Sequence, residues 1–211
     1  DLSGLADGTI TVSAVVTDTS GNTADAVTDT LVLDTSADVD SNFSVAVATS
    51  DEDTNDAESG NVSVTLAGID DDAQSVVVTF TDGTTPTAKT VTADATQNAE
   101  TGAWTVTDTD LSGLADGTIT VSAVVTDASG NTAPAATDTL VLDTSADVDG
   151  DDFKVTVAAS DEDTNADERG NVSVTLAGID TDAATVVVTF TDETTPTANT
   201  VTADATQNAE G

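Results

Sequence analysis

Tandem repetition is the feature that most constrains this chain. Residues 1–18 recur unchanged at 110–127, an offset of 109, and residues 61–70 (NVSVTLAGID) recur at 171–180, an offset of 110. One inserted residue, Gly150, accounts for the difference. A repeating unit of about a hundred residues has the size of a single domain. The chain therefore holds nearly two periods of one domain.

Apolar residues alternate with polar ones through the complete repeat, and this period of two is typical of half-buried strands. We expect seven short strands, A to G, around residues 43–47, 62–66, 76–80, 91–93, 104–106, 119–125 and 140–142. No stretch shows helical periodicity with caps. The pattern predicts an all-β protein: a linear array of tandem immunoglobulin-like β-sandwich domains of about seven strands.

The octapeptide LDTSADVD at residues 33–40 returns at 142–149. Each copy closes one β-rich run and precedes another, so we interpret it as the joint between successive domains. Residues 36–144 are then a complete repeat, 1–35 hold strands F and G of a preceding repeat, and 145–211 hold strands A to D of a following one. The end segments together lack roughly strand E. Either the chain was cut from a longer array, which we favour, or neighbouring copies complete each other.

The composition excludes several functional classes. The 40 acidic residues against 3 basic ones give a formal charge of −37. Nucleic acids and anionic membrane surfaces repel such a chain, and no apolar run is long enough for membrane insertion. Without His or Cys, and with 2% aromatic residues, we expect no enzyme. Self-repulsion of this size opposes compaction unless cations neutralise it.

Acidic loops and joints together predict calcium binding. Oxygen ligands at alternate positions, followed by a carboxylate, suit a hard cation that takes six to eight oxygens. Sandwich connectivity brings the B–C and F–G turns to one end of a domain and the A–B and E–F loops to the other. Three chain segments then converge at each joint. The alternative is a set of solvated acidic loops without a specific site.

The predicted ligands fall into three groups: one at each joint and one in the second copy of the acidic loop. At the first joint they are Asp34, Asp38, Asp40, Asp70, Asp71 and Asp72, with Asp127 as a further candidate. Near the second joint they are Asp51, Asp53, Asn55, Asp56, Glu58, Asp108, Asp110, Asp143, Asp147, Asp149, Asp180 and Asp182. The second copy of the acidic loop adds Asp161, Asp163, Asn165, Asp167 and Glu168.

Several motifs together resemble a known class of repeats. These are TFTD at 79–82, WTVTD at 104–108, DLSGLADG at 110–117, VTDASGN at 125–131 and LDT at 142–144. The chain is similar to the bacterial immunoglobulin-like repeats of giant RTX adhesins of Gram-negative bacteria. Many such repeats have Pro where this chain has Asp38 and Asp147. The substitution adds a candidate ligand and removes some stiffness from the joint.

The resemblance implies a function at the cell surface. The chain would be an extender segment, secreted by a type I system and stiffened by Ca²⁺ at its joints, that supports attachment and biofilm formation. Its partners would be identical repeats in the same or adjacent chains, and the distal adhesion target stays unknown. Two other functions remain open: a filament subunit assembled head to tail by strand complementation, and a glycan-binding surface module.

Overall fold

The computed structural model describes residues 1–48, 53–146, 152–158 and 164–206. The chain forms two compact units, Asp1–Thr144 and Ser145–Gly211. Strands dominate both units, which confirms the all-β prediction. No helix in the described ranges is long and apolar enough to cross a membrane.

The elements alternate short strands with turns along the whole chain. Those of the first unit are β1 (Gly8–Ala14), β2 (Val27–Leu33), β3 (Ser44–Ala48), β4 (Asp53–Asn55), α1 (Asp56–Ser59), β5 (Val62–Ala67), β6 (Ala73–Thr81), β7 (Thr90–Asp94), β8 (Thr96–Gln97), β9 (Trp104–Thr109), β10 (Gly117–Asp127) and β11 (Ala136–Asp143). Those of the second unit are β12 (Lys154–Ala158), β13 (Ser173–Ala177), β14 (Val187–Thr191) and β15 (Thr200–Asp204).

Two sheets form a sandwich in the central repeat. One has the order β4-β11-β10-β6-β7 and the other the order β3-β5-β9-β8. All neighbours are antiparallel except β4, which runs parallel to β11. The described part of this sandwich has nine strands rather than the expected seven, because β4 and β8 are additional. Both are short edge strands of two or three residues, too short for an alternating pattern to show.

The core lies between the inner faces of the two sheets. Along β10, alternate residues are buried, and Ile119 and Val121 have no exposed surface. Phe80 of β6 is also fully buried, and Val64 and Val106 of the opposite sheet belong to the same core cluster. The alternation seen in the sequence therefore matches the pleat of each strand, with one face in the core and one in solvent.

The structure contains one turn of capped helix, α1, so the expectation that no capped helix is present was wrong. Asn55 is its N-cap, and its side-chain oxygen accepts hydrogen bonds from the amides of Ala57 (2.9 Å) and Glu58 (3.2 Å). The Glu58 side chain in turn accepts a bond from the Asn55 amide (3.1 Å). This reciprocal pair is a capping box. A single turn is too short for helical periodicity to appear in the sequence.

The segments outside the sandwich form two-stranded sheets. β1 pairs with β2 in the first unit, and the second unit contains the pairs β12–β13 and β14–β15. Each pair has the same register as its counterpart in the sandwich. For example, Gly8 pairs with Leu33 as Gly117 pairs with Leu142. Their core-type side chains are partly or largely exposed: Phe190, for example, is 37% exposed, whereas Phe80 is 0% exposed.

Replacing Phe80 with Ala should destabilise the sandwich strongly. We expect a loss of about 3–5 kcal/mol in the free energy of unfolding, because a fully buried aromatic leaves a cavity. Urea unfolding followed by the fluorescence of Trp104, the only tryptophan, reports on this core. Phe190→Ala is the matched control and should move the Trp104 transition by less than about 0.5 kcal/mol. Equal effects of the two variants would contradict the assigned core.

Candidate metal centre

Three carboxylates from separate chain segments converge at the first joint. Among the described residues, Asp34, Asp72 and Asp127 each offer an oxygen, and these oxygens lie within 4.8 Å of one another. Asp34 follows β2 in the joint, Asp72 lies in the turn before β6, and Asp127 ends β10. Asp127 is buried, Asp34 half-buried and Asp72 exposed. The cluster is therefore open to solvent on one side.

The turn after β10 positions Asp127. Asn131 donates to both Asp127 oxygens: its backbone amide to Oδ1 and its side-chain Nδ2 to Oδ2, each at 2.7 Å. Burial raises the pKa of Asp127, but hydrogen bonds from Asn131, Gly130 and Ser129 together outweigh it and lower the pKa below its ordinary value. Asp18 and Asn22 form the same paired contact in the first copy. The motif Asp-x-Ser-Gly-Asn thus builds one turn twice.

The turn before β6 positions Asp72. Its backbone carbonyl accepts a hydrogen bond from the Ala128 amide (3.0 Å), so the B–C and F–G turns are joined directly. In the same turn, Asp70 Oδ2 accepts a bond from the Val39 amide of the joint (2.9 Å). Asp70 therefore holds the joint through a hydrogen bond and is not part of the three-carboxylate cluster.

The joint itself is ordered against this pole of the sandwich. The Asn131 side chain donates to the backbone carbonyl of Asp34 (3.2 Å), and Ala37 is buried in the core, with 2% of its surface exposed. Asp38 accepts bonds from the amides of Asn42 and Phe43, both at 3.3 Å, which folds the end of the joint into β3. The linker is thus part of the packed domain at this end.

A glycine allows the segment that follows the joint to pass close to the end of β5. Gly68, which follows β5, has a φ of +69°, and a Cβ there would collide with the backbone of Asn42. Gly178 has the same conformation and the same relation to Asp152 in the second unit. Only glycine adopts this backbone conformation readily and leaves room for the neighbouring chain.

The geometry of the cluster fits a hard cation. Two oxygens bound to one Ca²⁺ at 2.3–2.6 Å lie at most about 5 Å apart across the ion, and the three oxygens of this cluster lie within 4.8 Å of one another. Both Asp127 oxygens accept hydrogen bonds from Asn131, and a carboxylate offers about four lone-pair sites in all. No Lys, Arg or His occurs in residues 33–40, 70–72 or 127–131. The three residues could hold Ca²⁺ with water completing the shell.

The predicted ligands outside this cluster occupy several places. At the first joint, Asp40 and Asp71 are exposed, and neither they nor Asp38 and Asp70 belong to the cluster. At the other pole of the sandwich, Asp143 lies opposite Asn55 in the parallel pairing of β11 with β4. The prediction that A–B loop residues and the end of strand G form a site remains a prediction.

The remaining candidates of the first unit have different local contacts. Asp53 and Asp56 are exposed, and Asn55 and Glu58 form the capping box. Asp108 has a left-handed φ of +56°. Asp110 Oδ1 accepts bonds from the hydroxyl (2.6 Å) and amide (3.0 Å) of Ser112, and these bonds lower its pKa. Some of the carboxylates at this pole therefore have a structural role as hydrogen-bond acceptors that requires no metal.

In the second unit, the acidic loop again pairs an Asn with a Glu three residues later. Asn165 Oδ1 accepts bonds from the amides of Asp167 (2.9 Å) and Glu168 (3.3 Å), and Glu168 accepts one from the Asn165 amide (3.2 Å). Asp180 is half-buried and Asp182 exposed. The predicted ligands Asp51, Asp147, Asp149, Asp161 and Asp163 lie outside the described residues.

Asp82 shows the structural use of a buried carboxylate. It is 3% exposed and accepts backbone amides from Thr84 (3.1 Å) and Lys89 (2.9 Å) on Oδ1, and from Ala115 (3.1 Å) on Oδ2. Burial raises its pKa, but these amides lower it to about 2 overall. Asp82 therefore anchors the loop between β9 and β10 to the turn after β6. It was not among the predicted residues.

Solved structures similar to this chain include the following two. One is the crystal structure of a tetra-tandem repeat in the extending region of a large adhesion protein: identity is 28%, TM-score 0.44, and coverage is 100% of this chain and 48% of that one. The other comes from work on host cell surface retention of a 1.5-MDa bacterial ice-binding adhesin, with 29% identity, TM-score 0.41 and coverage of 97% and 62%.

This chain thus spans about half and about three fifths of the two structures it matches. Both TM-scores are low, so the fold and the candidate site rest on the sheets, core and hydrogen bonds of the chain itself. No protein-family model matches the chain, and no curated protein matches it.

Replacing Asn131 with Ala should loosen the joint. The change removes the hydrogen bond to the Asp34 carbonyl, and one such bond contributes about 1 kcal/mol. We expect amide exchange in residues 35–39 to become roughly five- to tenfold faster by hydrogen–deuterium exchange. Asn22→Ala is the control, because Asn22 has the same bonds within its turn. Unchanged exchange in Asn131→Ala would show that this bond does not hold the joint.

Acid should remove the contribution of Asp82. Because its folded pKa is depressed, its stabilisation is present above the ordinary value of 3.8 and is lost as the pH falls towards about 2. We therefore expect the difference in melting temperature between the wild type and Asp82→Asn to be largest above pH 3.8 and to shrink towards pH 2. Comparing the two proteins at each pH cancels the effect of the other carboxylates on the melting temperature. A difference in melting temperature that does not change with pH would contradict the role of the ionised Asp82 carboxylate as an anchor.

Proposed function

We propose that this chain is an extender segment of a bacterial surface adhesin, in which Ca²⁺ stiffens the joints between tandem β-sandwich repeats. The observation that carries the proposal is the convergence of Asp34, Asp72 and Asp127 at a joint that already packs on the sandwich. Near-identical repeats joined in tandem suit a spacer, because each added copy lengthens the molecule without a new fold.

The proposed ion acts as a cross-link between three chain segments. Asp34 belongs to the joint, whereas Asp72 and Asp127 belong to two turns of the sandwich that follows it. Without a cation, three carboxylates this close repel one another; with Ca²⁺ they become ligands. Bound Ca²⁺ would therefore oppose bending at the joint.

The expected affinity matches an extracellular setting. Calcium sites of extracellular modules have dissociation constants of roughly 10⁻⁴–10⁻³ M. Such sites would be empty at cytosolic calcium, which keeps the joints loose for type I secretion, and filled outside the cell. The protein would then lie on the surface of a Gram-negative bacterium, hold a distal binding domain away from the cell and support attachment and biofilm formation. Its role would be mechanical rather than enzymatic.

Small-angle scattering tests the stiffening of the joints. We expect the maximum dimension of the chain to fall when EDTA removes Ca²⁺ and to recover when Ca²⁺ is restored, because flexible joints allow compact conformers. The chelated sample should be compared in high and low salt, so that loss of general charge screening is separated from loss of Ca²⁺. A maximum dimension that EDTA leaves unchanged would contradict the proposal.

Calorimetric titration tests the ligands. Asp72→Asn should weaken Ca²⁺ binding at the first joint at least about tenfold, because ligand charge sets the affinity of calcium sites. Asp94→Asn, on the exposed edge strand β7, makes the same change in net charge and should leave the titration unchanged. If both variants bind Ca²⁺ like the wild type, the cluster is not the site.

A further inference from the structure

The first and last strands of the central sandwich are linked by one side chain. Asp138 of β11 accepts a hydrogen bond on Oδ2 from the backbone amide of Val47 in β3, at 2.9 Å. The two residues are 91 positions apart in the sequence, and both are half-buried. Because β3 belongs to the four-stranded sheet and β11 to the five-stranded sheet, this bond also crosses from one sheet to the other.

The alternation along β11 explains why a carboxylate reaches β3. Leu140 and Leu142 are buried in the core, so Asp138, two residues before Leu140, lies on the same inner face of the strand. In the described part of its sheet, β3 has a hydrogen-bonded neighbour on one side only, β5. Asp138 therefore supplies an acceptor to a backbone amide of an edge strand, where the sheet itself offers none.

The link to β11 continues beyond β3 into β4. β4 pairs with β11 in parallel over three residues, from Asp53 opposite Val141 to Asn55 opposite Asp143. Together with the bond from Val47, the contacts advance in the same direction along both parts of the chain, from residue 47 to 55 on one side and from 138 to 143 on the other. The segment that opens the sandwich therefore runs parallel to the strand that closes it.

The parallel direction of these segments decides how the sandwich carries tension. The first joint leads into the amino end of β3, and the carboxyl end of β11 leads into the second joint. Tension between the joints therefore pulls two parallel segments from opposite ends. Bonds between parallel strands are evenly spaced along them, so this pull shears the strands and loads all the contacts at once. A hairpin pulled apart from its open end breaks its bonds one after another, which requires less force.

From this geometry we propose that the Val47–Asp138 hydrogen bond and the β4–β11 pairing form a mechanical clamp, which resists unfolding when the two joints are pulled apart. The bond from Val47 holds β3, the strand where tension enters, and a bond to a charged acceptor is roughly twice as strong as a neutral one. The use of the clamp rests on the proposed function, because only a segment under tension needs it. The clamp contains no residue of the carboxylate cluster, so it is tested without Ca²⁺ and fails or succeeds separately from calcium stiffening.

Single-molecule force spectroscopy on the full chain in EDTA tests the clamp in two pulling directions. The chain has no cysteine, so a pair of introduced cysteines defines where force is applied. Asp40→Cys with Ala146→Cys, both at exposed positions, stretches the sandwich from joint to joint and loads the clamp. Thr92→Cys with Ala146→Cys pulls on the exposed edge strand β7, which is antiparallel to β6 and lies outside the clamp.

Removing the acceptor with Asp138→Ala should speed unfolding in the joint-to-joint direction. At constant force we expect about tenfold faster unfolding, the effect of losing a hydrogen bond to a charged group. In the β7 direction the rate should stay that of the parent, because the edge strand detaches before the clamp is loaded. Asp94→Ala removes one charge from exposed β7 and, as the matched control, should unfold like the parent from joint to joint. An acceleration by Asp138→Ala that is no larger from joint to joint than through β7 overturns the proposal.

Val47→Pro removes the donor of the same bond and tests the assignment from the other side. Proline has no amide hydrogen, and edge strands accept it where the amide lies outside the ladder. The variant that combines Val47→Pro with Asp138→Ala should unfold from joint to joint no faster than the faster single variant, because both remove one bond. Multiplied effects in the double variant overturn the assignment. The fluorescence of Trp104 checks folding before pulling, and if Asp138→Ala does not fold, Val47→Pro takes its place in the comparison of the two directions.

Discussion

The pairing of β10 with β6 is the contact on which the sandwich depends. These two strands form the centre of the five-stranded sheet, and their inward residues, Val121 and Phe80 among them, are fully buried. Where the chain presents the same sequences without this pairing, the strands are shorter and the apolar side chains are exposed. Strand length in this protein is therefore set by the available partner more than by local propensity.

Carboxylates serve two purposes in this acidic chain, and position decides between them. Asp82, beneath the surface, accepts three backbone amides and needs no cation. Asp18 likewise forms a closed set of bonds within its own turn, to Asn22 and Ser20. Asp127 makes the same turn contacts but also faces Asp34 and Asp72. An Asp-rich composition is thus used first to build turns, and only where turns converge does a candidate ion site arise.

Alternation of apolar residues was sufficient to locate the main strands, because each buries one face and Val, Thr and Ile alternate along it. It could not locate β4 or β8, whose two or three residues complete no pattern. It also could not show that the strand at 91–93, which is part of β7, pairs with β6 rather than with a strand of the opposite sheet. Alternation indicates which residues face the core, but it does not indicate which strands are hydrogen-bonded to each other.

The acidic loop was ambiguous for a related reason. Asn55 and Glu58 are three residues apart, which fits both a row of cation ligands and a capping box, and the structure shows the second. In contrast, the convergence at the first joint followed from connectivity alone, because B–C and F–G turns share one pole of a sandwich. Which carboxylates would meet depended on turn geometry. The Asp-x-Ser-Gly-Asn turn holds Asp127 in the cluster, whereas Asp70 turns to the Val39 amide instead.

The order already present at the joint determines what an ion could add there. Ala37 is buried and the backbone of Asp34 and Val39 is hydrogen-bonded to the sandwich, so the linker has lost much of its conformational freedom on folding. An ion bound to Asp34, Asp72 and Asp127 would not have to supply the free energy for ordering a flexible chain. It would have to offset the mutual repulsion of three carboxylates, and a weak site is sufficient for that. Under the proposed function, loss of the ion would leave this repulsion uncompensated and favour opening of the joint.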